Sequence, residues 1–158
     1  MTDVTSEAPE QSVKPQTKVK LEIFDQGMLT LFWDEIMEAA KAMAHHDVKT
    51  MALFAGQLRR QKLFVVGAWV GETLRGLAFI RQVTEGLYGM MAMSIDGLYG
   101  NGMTSEQWCE AIEMLAKIAK DCGFQKIIGQ SDNPAVAAVA EAGGFRRIDL
   151  YIKDLTNV

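Results

Sequence analysis

Between Lys18 and Phe24 the chain alternates, with Val19, Leu21 and Ile23 apolar and Lys18, Lys20 and Glu22 polar, the period of a half-buried strand. From Leu29 the period lengthens. Leu31, Met37, Ala40 and Met43 recur while Glu35, Glu38 and Lys41 fall between them, which predicts an amphipathic helix to about Ala44. His45 and His46 close that helix, where a cation suits the dipole, and Asp47 is placed to cap a second helix reaching about Arg60. Lys62 to Val70 and Leu74 to Val83 then flank Gly71-Glu72-Thr73 as the arms of a hairpin, and Leu87 to Ile95 supplies the next strand.

A glycine-spaced stretch, DGLYGNG at 96–102, predicts a loop. Thr104 and Gln107 have the spacing of a capping box at the head of a long helix. Its apolar stripe is Trp108, Ile112, Leu115, Ala119 and Cys122, with Glu113 and Lys117 paired on the wet side. Gly123 stops it, and Phe124 to Gly129 predicts a strand. Asn133 before Pro134 reads as N-cap then N1 of a short helix, with Gly143 and Gly144 as its C-terminal stop. Arg147 to Leu155 alternates as a final strand. The interior of the 134–142 helix is alanine and valine, and no side chain from Ala135 to Ala140 can transfer a proton.

This order predicts one α/β domain over residues 18–158, preceded by a polar arm at 1–17 expected to be flexible by itself. A length of 158 residues with 49% hydrophobic and 23% charged side chains is enough for a core. The net charge of -4 argues against nucleic acid as the main partner, and Arg59, Arg60, Lys62, Arg146 and Arg147 read as solvated surface. No apolar run reaches the ~18 residues that a membrane helix needs, and the acidic start is unlike a signal peptide. The expected location is the cytoplasm, or a particle assembled there. Cys109 and Cys122 lie about 20 Å apart on one helix at ~1.5 Å per residue, too far for a disulfide, and Cys122 is expected to be buried. Neither has a partner at metal-ligand spacing, so no metal site is expected.

The element order resembles that of the GNAT superfamily of N-acetyltransferases over about Val19 to Leu155. AKIAKDCGFQKI at 116–127 is similar to the family's passage from its long helix into the fifth strand. NPAVAAVAEAGGF at 133–145 is similar to the family's Asn…Gly-Phe segment, with Asn133, Gly144 and Phe145 in register. The resemblance implies a mixed central sheet of six to seven strands with helices on both faces. It also implies acetyl-CoA held between the fourth and fifth strands, its diphosphate on the amides that open the long helix.

On that resemblance the cofactor contacts fall on Ile95, Gly100, Gly102, Thr104 and Asn133. Two of the family's features are missing. Its phosphate-loop glycines align with Glu106 and Trp108, and no Arg or Lys lies between Gln82 and Lys117. The family's tyrosine, the general acid for the departing thiolate, aligns with Ala140. No catalytic residue is therefore assigned: Glu85 and Asp96 read as turn residues, and Met90, Met91 and Met93 as core filler.

The expectation is a GNAT-fold module that has lost acetyl transfer, needs no cofactor, and binds protein partners or itself, with the arm docking on a neighbour. A weaker resemblance, to small virion proteins of tailed phages, points the same way. The alternative is an active acetyl-CoA-dependent N-acetyltransferase with an atypical phosphate loop.

Overall fold

The computed structural model describes residues 18–43, 48–85, 89–131, 133–148, 153 and 155. The arm at 1–17, His45, His46, Asp47 and Leu87 lie outside them. The elements run β1 (Val19–Ile23), α1 (Gln26–Leu31), α2 (Trp33–Met43), α3 (Val48–Arg59), β2 (Phe64–Val70), β3 (Thr73–Glu85), β4 (Met90–Gly100), α4 (Ser105–Asp121), β5 (Lys126–Gly129) and α5 (Pro134–Ala142).

The five strands form one sheet in chain order, antiparallel except where β5 joins β4 in parallel. Such a pair needs a crossover, and α4 supplies it. Two register shifts interrupt the alternation. Ala68 faces Gly76 and Trp69 faces Leu74, which leaves Arg75 as the extra residue of β3. Phe79 faces Gly97 and Ile80 faces Ile95, which leaves Asp96 as the extra residue of β4. A bulge re-aims the side chain that it carries, and both of these carry a charge.

Each face of the sheet is covered. Phe24, Leu29, Ile36, Ala39, Leu58, Leu63, Val65, Leu77 and Phe79 make one cluster with α1, α2 and α3. Val66, Ile80, Met93, Ile95, Leu115 and Ala119 make the other with α4. These layers match the predicted fold class, with one strand fewer than its lower bound among the described residues.

Of the strand expected over 147–155, Arg147, Ile148, Lys153 and Leu155 are described and have no strand geometry, with Ile148 and Leu155 65% and 66% exposed, and 149–152 and 154 lie outside the described residues. Three further expectations need correction. The first helix begins earlier, at Gln26, where Asp25 Oδ1 accepts the Met28 N–H at 2.8 Å, and a turn at Phe32 divides it. The stretch 96–102 is not all loop, because β4 continues to Gly100 opposite the 13-residue β3. Cys122 is exposed, since it caps the C-terminus of α4 beyond the buried stripe of Ala111, Ile112, Leu115 and Ala119.

The helix α5 lies against α4. It buries none of its residues, although Asn133 caps it as predicted and Gly144, at φ +85°, makes the left-handed exit. Val136, Val139 and Ala140 are half-buried, and its other apolar side chains are exposed.

Candidate functional site

The sheet parts at one place. Ala92, Met93, Ser94 and Ile95 pair with Lys126 to Gly129, and there the pairing stops, while β4 runs on to Gly100 and the chain after β5 turns towards α5. Parallel strands that separate leave an opening bounded by backbone. Ile95 is the last paired residue of β4, but its side chain is buried against Leu115 and Ala119, so only its backbone faces that opening.

The head of α4 stands at the far end of β4. Thr104 Oγ1 accepts the Gln107 N–H at 3.2 Å, Gln107 Oε1 accepts the Thr104 N–H at 2.9 Å, and Trp108 N–H donates to the Thr104 carbonyl at 3.0 Å. The capping box is as predicted. Ser105 and Glu106 are left as the open N–H donors of the first turn. Glu106 carries a carboxylate in that turn, which suits the dipole and opposes an anionic ligand.

The glycines divide by role. Gly100 is covered by the Trp108 ring, so close that a Cβ there would collide with it; the glycine serves packing. Gly102 has φ +75°, a conformation that favours glycine, and a Cβ there would lie 3.2 Å from Arg75 Nη1. An exposed guanidinium therefore stands beside the loop that enters α4. Counting along the chain misses it, because Arg75 comes from β3, held to this loop by the Asn101 N–H to Arg75 carbonyl bond of 2.8 Å. The hairpin register was the signal that could have found it.

Asn133 sits on the β5 side of the opening. Its Oδ1 accepts the Ala135 N–H at 2.9 Å, so its side chain is engaged as a helix cap. Ile95, Gly100, Gly102 and Thr104 thus follow one strand and its exit, with Asn133 on the opposing chain. Ala140, half-buried on α5, offers no titratable group.

Asp96 is not a turn residue. It lies within β4 at the bulge, where its carboxylate accepts from Ser94 Oγ at 2.6 Å and pairs with Arg81 Nη2 at 2.8 Å. Glu85, by contrast, ends β3 and pairs with Lys126 at 3.1 Å. Arg81 and Asp96 together border a cavity of about 300 Å³ between the sheet and helices α2 and α3. Its apolar lining includes Met43, Phe54, Leu63 and Phe79, and the Phe54 and Phe79 rings meet edge to face at 5.1 Å. Met43 reaches the β4 backbone at Gly97, where no side chain could fit without displacing it. Of the methionines expected as core filler, Met93 is buried and Met91 is 37% exposed.

No family model matches the chain, and no curated protein does. Solved structures match it nearly end to end. The chain is similar to a probable acetyltransferase, at 13% identity and TM-score 0.70 over 88% of this chain and 99% of that one. It is similar to an aminoglycoside acetyltransferase from an uncultured soil metagenomic sample, in complex with sisomicin, at 12% identity and TM-score 0.67 over 89% and 96%. A third is a predicted acetyltransferase from Clostridium acetobutylicum, with acetyl-CoA, at 13% identity and TM-score 0.64 over 85% and 94%. The likeness is one of architecture: the chain has the GNAT fold of N-acetyltransferases.

Proposed function

We propose that the protein is an acetyl-CoA-dependent N-acyltransferase whose diphosphate site is partly built from β3. The observation that carries this reading is the Arg75 guanidinium beside Gly102, at the mouth of α4 and beyond the point where β4 and β5 part. The Ser105 and Glu106 amides with Arg75 would hold a diphosphate, and bidentate guanidinium contacts to phosphate are among the stronger charge-assisted bonds. Acetyl-CoA supplies an activated acetyl thioester when bound.

The chain's own groups define what remains. The β4 bulge interrupts the ladder between Ile95 and Gly97, so the backbone there is available to a ligand carbonyl in the opening. Asp96 would take a proton from an acceptor amine, with the Ser94 hydroxyl fixing its orientation. No side chain from Ala135 to Ala140 can give a proton to the departing thiolate, because Ala140 stands where the family's acid would be, and solvent would supply it.

Thermal unfolding of the full chain with and without acetyl-CoA tests the reading. A ligand at 100 times its Kd stabilises by about 2.7 kcal/mol, which for a chain of this size raises Tm by roughly 5–10 °C. Arg75→Gln should weaken binding about tenfold, equivalent to ~1.4 kcal/mol. Glu106→Gln should strengthen it. An unchanged Tm with millimolar acetyl-CoA rejects the proposal.

A second reading is favoured by Ala140 and by the Trp108 ring over Gly100: a GNAT-fold module that binds protein partners without acyl transfer, its arm at 1–17 docked on a neighbouring subunit. It requires that acetyl-CoA leave Tm unchanged and that removal of residues 1–17 abolish assembly.

A further inference from the structure

We infer that the cavity between α2, α3 and the sheet binds a free α-amino acid with an apolar side chain, as a zwitterion. The inference names the acceptor class for the reading above, and the binding itself stands apart from transfer.

The argument starts from the charges. Among the described residues that line the cavity, one cation and one anion carry charge, Arg81 and Asp96, and they face each other at 2.8 Å with side chains 48% and 28% exposed. A pair as solvated as this contributes little to stability, so a ligand opens it at little cost. An amine alone would take Asp96 and strand Arg81. A carboxylate alone would do the reverse. A molecule with an ammonium and a carboxylate on one carbon satisfies both, the first on Asp96 and the second on Arg81.

The rest of the lining is mostly apolar, with Thr50 and Gln57 as its uncharged polar members. Met43, Met51, Phe54 and Phe79 border it, with thioethers and ring edges that suit an aromatic or sulfur-containing side chain. A volume of about 300 Å³ is at the small end for ligand pockets and fits one such molecule. The same features work against an aminoglycoside, which brings several cations to a lining with one carboxylate already paired. Seated as described, the ligand's α-nitrogen lies at the β4 bulge.

The test is calorimetric titration of the full chain, with and without saturating coenzyme A, using L-phenylalanine, L-methionine, phenethylamine, 3-phenylpropionate and sisomicin. The two amino acids should bind at least tenfold more tightly than the singly charged analogues, and sisomicin should not bind. Arg81→Met should erase the preference for L-phenylalanine over phenethylamine, and Arg81→Lys should restore part of it; Arg81 is a surface position. Equal affinity for phenethylamine and L-phenylalanine, or tighter binding of sisomicin, overturns the inference. So does binding of coenzyme A with no binding of either amino acid, a result that leaves the transferase reading intact. Binding of L-phenylalanine without binding of coenzyme A upholds the site and rejects transfer.

Discussion

Phe79 joins the two halves of the site: its ring meets Phe54 across the cavity, and its backbone faces Gly97 beside the Asp96 bulge. It is 1% exposed, so Phe79→Ala should destabilise by about 3–5 kcal/mol, readable by denaturant unfolding. Gly100→Ala should cost about 1–3 kcal/mol, because the new methyl meets the Trp108 ring. A second change, Trp108→Ala in that background, should recover part of the loss. These two residues also mark the limit of sequence reading at this scale. A glycine that yields to a ring and a glycine that turns the backbone to positive φ look alike in a string, and only the fold tells Gly100 from Gly102. Arg75 and Arg81 escaped notice for a related reason, since each acts on a group brought near by strand pairing rather than by adjacency.

At the scale of elements, α4 is the one whose start matters for the site. Removing its cap with Thr104→Ala should cost about 1 kcal/mol and, if the transferase reading holds, also weaken acetyl-CoA binding by disordering the Ser105 and Glu106 amides. On the same reading, Ala140→Tyr on α5 should raise the rate of acetyl transfer about tenfold, below the ~10²–10⁴ that a general acid contributes, with Kd for acetyl-CoA unchanged. Most elements were legible because caps and periodicity are local signals: Thr104 with Gln107, Asn133 with Pro134, and the Gly71-Glu72 turn all sit where the spacing put them. The length of β4 was not legible, because Gly97 and Gly100 looked like loop residues and are instead places where Met43 and Trp108 press on a strand.

For the whole molecule, architecture was the easier inference and activity the harder one. Layers follow from the order of hydrophobic segments, and the order was readable; the site depends on which charged groups the layers bring together, and two bulges decide that. Among the described residues no helix is long and apolar enough to cross a membrane.

The sheet's connectivity has one more consequence. Only β2, β3 and β4 are joined by short links, whereas β5 is reached through the whole of α4 and makes four residue pairs. A seam closed late and by so few bonds is the natural place for subglobal opening, so Ile127 and Ile128 amides should exchange with deuterium faster than those of β3. A molecule wedged between the diverging strands would slow that exchange, and hydrogen exchange at this seam would then report occupancy even where no chemistry follows.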